Sequence, residues 1–399
     1  MDIRKSKSWK NAEWQYADLI AGSRIRLFGP PLTAQQVITR LRRILKTCPE
    51  FYPAELELAC RLLLKGRNKR AERQVLKGLE TILRVEERTN VEELIERLID
   101  NLKRLRQFDL CRRLLKRVME RDPGNAAFHD SLAHAEALMG KVEKALRHAS
   151  RAVELEPANP FYKSNLGWIL MVAGKVKEAG SILREALRLD PQNEVTRGNI
   201  EFHKHLLAHG GTYLDFLLRP ADSAELERLA DAEEWEKVDA LCASYNKGKL
   251  EAMELCQLQE AGIDPALLAD RLATLNTFFS FLQGLVLDSY LLYENISFVE
   301  DHFQSVMHKF IFKFGDVDRG LIEDIYESLF EYYGFLADRG LVSKRDLAAF
   351  RRTSLSLKRG ISDRMERYNK VRHNDGMGEE EKDAVRAKLF GEAVFFPHL

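Results

Sequence analysis

Cysteine is scarce: the 399 residues hold five, Cys48, Cys60, Cys111, Cys242 and Cys256, with no Cys-x-x-Cys pair among them. An odd, scattered set excludes a disulfide framework or a thiolate zinc site and fits reduced, mostly buried thiols. No stretch approaches the ~18 uncharged apolar residues that a membrane helix needs. The opening residues, Met1-Asp-Ile-Arg-Lys-Ser-Lys-Ser-Trp, are positive but have no apolar core behind them, which is not the pattern of a secretory signal. A cytoplasmic protein is expected. Glycine-rich phosphate loops, nucleophile elbows and dinucleotide fingerprints are all missing. His205 and His209 stand one turn apart with His203 nearby, a spacing that can offer two imidazoles to a metal. No His-Glu-x-x-His pattern accompanies them, so they read as surface histidines, and His302 and His308 face different sides of their helix. Neither metal nor cofactor is expected, and no catalytic residue is assigned.

A large excess of one charge is also lacking. The formal net charge is +1, yet Met1–Arg88 holds 19 basic and 10 acidic residues, while 200–399 holds 24 basic and 35 acidic. Such asymmetry suits ordinary helix surfaces whose two ends attract each other, or a basic arm for nucleic acid.

Proline is sparse too, which makes its placement informative. Pro123, Pro157 and Pro191 lie 34 residues apart and close the phrases Val118-Met-Glu-Arg-Asp-Pro, Val153-Glu-Leu-Glu-Pro and Leu187-Arg-Leu-Asp-Pro. A fixed period of that length marks stacked helix–turn–helix units, which cannot bury their apolar faces alone. The units fall at 92–125, 126–159 and 160–193. Their interiors agree: Leu98-Ile99, Leu132-Ala133 and Leu166-Gly167 in the first helix, and Gly140 and Gly174 after it. Ala145 and Ala179 open the second helix, and Ala152 and Ala186 recur on the same face. An earlier unit at 52–85 carries Leu58-Ala59, Gly66, Ala71 and Gly78-Leu79. It lacks the terminal Asp-Pro and is followed by a short insertion, Glu86–Val91. A degenerate unit at 9–50 has a capping box, Thr33-x-x-Gln36, and a long loop at 22–31. A helix over Glu194–His209 caps the array before Gly210-Gly211.

These residues resemble the tetratricopeptide repeat family over 52–209. The resemblance implies an α–α superhelix that binds partner proteins in its groove. It also implies that the groove is lined by first-helix residues: Asp130, Ser131, His134 and Ala137, then Phe161, Ser164, Asn165, Trp168 and Met171, then Gly198, Asn199 and Phe202. The amides of Asn165 and Asn199 suit the backbone of an extended peptide. Trp168, Met171, Phe161 and Phe202 would form an apolar floor. The basic clamp for chaperone tails is not expected, because its cationic positions read Glu96, Asp130 or Phe161 here.

From about Thr212 the period is lost. Segment 223–262 reads as two short helices, and an apolar run extends from Ala266 to Tyr293 after the Asp264-Pro265 start. Helices at 297–313 and 318–339 are rich in Phe and Tyr, a basic helix covers 344–372, and a charged one ends near Phe390. The tail Val394–Leu399 is apolar. No family is recognised over 212–399, which reads as an α-helical bundle whose aromatics form its own core or a homodimer interface.

The expected architecture is all-α: a degenerate repeat at 1–51, a tetratricopeptide-like solenoid at 52–209 and a helical domain at 212–399. The expected function is a non-enzymatic protein–protein adaptor or scaffold binding a partner peptide or helix. The alternative is a nucleic-acid-binding regulator using Arg40, Arg42, Arg43, Lys65, Arg67, Lys69, Arg70 and Arg73, though aromatics for base stacking are sparse there. A remote alternative comes from Arg367-Tyr-Asn-Lys-Val-Arg-His373, which loosely resembles the Arg-x(4–6)-His motif of HEPN-type ribonucleases. That likeness implies catalysis on RNA by Arg367 and His373.

Overall fold

The computed structural model describes residues 3–24, 32–259, 263–285, 290–313, 317–372, 374 and 376–391, and among these every regular element is a helix. The first eleven α-helices are five antiparallel pairs and a cap. They are α1 (Lys7–Arg24) with α2 (Ala34–Thr47), α3 (Tyr52–Leu63) with α4 (Asn68–Val85), α5 (Arg88–Arg104) with α6 (Phe108–Met119), α7 (Ala126–Leu138) with α8 (Val142–Leu155), α9 (Pro160–Val172) with α10 (Val176–Leu189), and α11 (Glu194–His209).

Local chemistry sets each boundary. Two residues after every repeat proline stands an asparagine that caps the next first helix. The Asn125 side chain accepts from the Phe128 N–H, Asn159 from Phe161 and Tyr162, and Asn193 from Thr196. Each first helix ends in a left-handed residue, Gly66, Gly140 or Gly174, with φ of 63°, 71° and 77°. The following N–H then reaches back across the turn, as from Lys141 to the Glu136 carbonyl and from Lys175 to Leu170, both 2.8 Å. Arg106 holds the same place in the 92–125 unit at φ 55°, and its guanidinium donates to the Lys103 carbonyl at 3.2 Å.

Small side chains set how closely the pairs pack. A Cβ on Gly167 would lie 2.5 Å from the Leu183 side chain, so α9 and α10 approach only because that position is bare. Ala145, Ala149, Ala152, Ala179 and Ala186 are fully buried along the second helices. One ion pair, with its first-helix partner buried and its second-helix partner exposed, repeats in register with its signs exchanged. Glu55 on α3 accepts from Lys77 on α4 at 2.9 Å, and Lys163 on α9 pairs with Glu185 on α10 at 3.0 Å. The insertion after α4 is structural, since the Glu86 carboxylate accepts from Arg4 at 2.8 Å and from the Tyr52 hydroxyl at 2.9 Å. The expected loop at 22–31 falls largely outside the described residues.

The chain divides into two compact units, Met1–Tyr213 with Gln257–Ala269, and Leu214–Cys256 with Asp270–Leu399. A piece of the second half therefore joins the array, contrary to a single cut near residue 210. Leu258 packs on the core formed by the first repeats, and Asp264 Oδ2 would lie 3.3 Å from a Cβ on Gly66.

The remaining helices are α12 (Tyr213–Leu217), α13 (Ser223–Asp231), α14 (Trp235–Gln259), α15 (Pro265–Gln283), α16 (Ile296–Lys313), α17 (Arg319–Asp338), α18 (Lys344–Arg372) and α19 (Glu379–Phe390). Two expectations are corrected. Helix α14 is long, 25 residues, because Gly248 does not break it. That glycine admits the Leu217 carbonyl, which would lie 2.8 Å from a Cβ there. Helix α15 stops at Gln283 and not near Tyr293. Asn246 holds the segment beyond it, donating to the Leu291 carbonyl and accepting from the Tyr293 N–H, both at 2.8 Å.

The second unit packs rings. Phe279 stacks on Tyr293 at 3.9 Å, and Phe303 meets Tyr326 and Phe350 edge-on at 5.2 and 5.7 Å. Tyr326 donates to the Ser354 carbonyl at 2.9 Å and Tyr333 to the Tyr293 carbonyl at 3.0 Å. The aromatics of α15–α18 thus lie mainly in this unit's own interior. The tail at 394–399 lies outside the described residues, and no described helix is long and apolar enough to cross a membrane.

Candidate partner-binding face

The face that hairpin packing leaves over belongs to the first helices α5, α7, α9 and α11. Two rows of side chains run across it. His134, Trp168 and Phe202 recur at the repeat period in one row. Phe108 is 6.4 Å from His134, His134 is 5.8 Å from Trp168, and Trp168 is 5.7 Å from Tyr213 at the start of α12. Tyr213 in turn lies 4.9 Å from Phe202. The row is therefore continuous, and the chain itself closes its distal end. Trp168 and His134 stay half-buried, and Phe161, against Tyr162 two turns before Trp168 on α9, is 46% exposed.

The second row is polar and acidic. Asn165 Nδ2 donates to both oxygens of Asp130 at 3.0 and 2.9 Å, Asn199 Nδ2 donates to the Ser164 carbonyl and hydroxyl at 3.2 and 3.0 Å, and Lys103 donates to Ser131 at 3.3 Å. Each bond joins one unit to the next. Burial pushes the Asp130 carboxyl up to about 6 despite the Asn165 bonds and the Lys103 charge. Glu96, one period earlier, is also raised, by burial and by Glu92 and Asp100 beside it. Tyr162 is pushed up to about 12 by burial and then by Glu156, Asp130, Glu96 and Glu92, which places it in the same negative field. Burial holds His134 down to about 4, with Lys103 adding to the effect, so the ring is neutral near pH 7. Its Nδ1 is buried with no hydrogen-bond partner among the described residues.

Of the residues expected to line the groove, Asp130, His134, Phe161, Asn165 and Trp168 come together here. Four residues take other roles. Met171 and Phe202 are 3% and 1% exposed, so they support the face from beneath and offer no floor. The amide donors of Asn165 and Asn199 are engaged between repeats, so they position neighbouring helices and do not grip a ligand backbone. Sequence reasoning missed Tyr213, whose place on Trp168 follows from the turn after α11, and Tyr162, which adjoins Phe161 in the chain. Outside this face, Arg367 is exposed on α18 and His373 lies outside the described residues.

The array is tetratricopeptide-like. No family model matches the chain, and no curated protein matches it. Among solved structures it is similar to the MamA RS-1 ArsTM double mutant at 18% identity, covering 47% of this chain and 98% of that one with a TM-score of 0.34. It is also similar to the TPR domain of P58(IPK) at 14% identity, covering 82% of this chain and 84% of that one with a TM-score of 0.23. Neither score is high enough to bear on what this chain binds.

Proposed function

We propose that the chain is a non-enzymatic adaptor whose first-helix face, from α5 to α9, takes a short peptide or helix of a partner protein. The observation that supports it is Trp168, held half-buried between His134 and Tyr213, with Phe161 exposed two turns earlier on the same helix. Large rings carried on a face that core packing does not require are the usual anchors of recognition. Because the surrounding amides and carboxylates are already tied between repeats, little ordering is left for the moment of binding. The exposed carboxylates of Glu92 and Glu96 give the ligand its chemistry: a peptide with a lysine or arginine beside an apolar or aromatic residue.

Selection of a random-peptide display library on the immobilised full chain tests this. The expected outcome is enrichment of sequences that pair a basic residue with apolar neighbours, and loss of those binders on Phe161→Ala/Trp168→Ala. Enriched peptides that bind this double variant unchanged would remove the assignment.

A further inference from the structure

A second surface, away from the ring row, has a different chemistry. A cleft of about 530 Å³ lies between the second helices α2 and α4, over α3. Arg42 and Lys46 line it from α2, and Arg70, Arg73 and Lys77 from α4. The spacings, four residues on α2 and three and four on α4, place each set on one helix face. The floor is aliphatic: Leu45, Leu58 and Leu62.

The charge in this cleft is not balanced from within. Glu55 is its one acidic lining residue, is 2% exposed, and accepts from Lys77 with both oxygens at 3.1 and 2.9 Å. The side chains of Arg42, Lys46, Arg70 and Arg73 make no ion pair or hydrogen bond among the described residues. The next junction of second helices is built differently. There Arg113 on α6 pairs with Glu72 on α4 at 2.6 Å, and Arg117 pairs with Glu80 at 2.8 Å. Like charges gathered along the two edges of a cleft repel one another and give it a positive field.

We propose that this cleft is a second docking site, and that its occupant is an acidic amphipathic helix of a partner protein. Glutamates or aspartates along both edges of such a helix meet the two cationic rows, and an aliphatic stripe between them meets the leucines. Helix α2, with 14 residues, gives a bed about 21 Å long, enough for three to four turns of ligand. A nucleic-acid strand fits less well, because among the described residues no aromatic side chain lines the cleft for bases to stack on.

The test is fluorescence anisotropy on the full chain with a labelled helix-forming peptide of about four turns, carrying a leucine stripe flanked by glutamates. Comparators are the same peptide with every Glu→Gln, the same with every Leu→Ser, and single-stranded oligothymidine of similar length. The parent peptide is expected to bind, to weaken severalfold as salt rises from roughly 50 to 150 mM, and to lose at least about tenfold with either altered peptide. Arg42→Gln/Arg73→Gln, both exposed, should weaken it about 10- to 100-fold, with Lys46→Gln/Arg70→Gln as an independent pair. Arg113→Gln, outside the cleft, and Phe161→Ala/Trp168→Ala, on the other face, should leave it unchanged. The latter control separates this site from the one proposed above. No binding by the parent peptide, unchanged binding by both arginine and lysine variants, or tighter oligothymidine binding lost in those variants would each overturn the proposal.

Discussion

The two units solve the packing problem in opposite ways. The array brings helices together by removing side chains, with Gly167 under Leu183 and fully buried alanines along α8 and α10. The second unit fills its interior with rings, Phe279 on Tyr293 and Phe303 between Tyr326 and Phe350. Small-residue packing recurs at a fixed period and leaves the first-helix face over, so Trp168 and Phe161 are available for other use. Aromatic packing takes up nearly every large ring and leaves little over. The proposed recognition accordingly uses the array.

Removing a ring should produce the largest effect. Tyr332→Ala in the buried centre of α17 is expected to cost about 3–5 kcal/mol. It should appear in chemical denaturation as early loss of the second unit, while peptide capture by the array persists. Adding bulk should hurt the array next. Gly167→Val is expected to cost about 1–3 kcal/mol by forcing Leu183 aside, partly restored by Leu183→Ala. A neutral Gly167→Val would show that close approach of α9 and α10 is not what the glycine provides.

Acid should separate two buried groups of opposite sign. His134 is held down to about 4, against an ordinary value near 6.5 when unfolded, so its neutral form stabilises the fold above that value. That stability is lost as pH falls from about 6.5 toward 4. The expected loss is about 2 kcal/mol by pH 5, and His134→Phe should abolish it in a melting series. Asp130, pushed up to about 6, acts in the opposite direction: its fold gains stability as pH drops through that value, so Asp130→Asn should steepen the acid loss. The smallest effect is at the turn of the 92–125 unit. Arg106→Gly should raise stability by about 0.5–1 kcal/mol, by relieving a left-handed arginine.

The array was legible because single side chains decide its geometry. Pro, Gly and Ala recur at positions that favour them, and the asparagine caps at Asn125, Asn159 and Asn193 share the same period. The face was only half legible. Trp168 and Phe161 follow from register, but Asp130–Asn165 and Ser164–Asn199 join adjacent repeats, so an isolated asparagine reads as a free amide. Tyr213 returns onto Trp168 through a turn that no pattern announces. Likewise, segment 223–262 read as two short helices, whereas α14 runs 25 residues through Gly248, which marks a close approach to the Leu217 carbonyl. The cations of α2 and α4 were visible as a list, yet which of them face one another, without partners, depends on how the helices stack.

The most direct test of the central claim is a calorimetric titration of a display-selected basic peptide into the full chain and into Phe161→Ala/Trp168→Ala. Saturable binding to the parent and at least about a hundredfold loss in the double variant, with helicity unchanged, is the expected result. Equal affinity for the two proteins would contradict the assignment of recognition to this face.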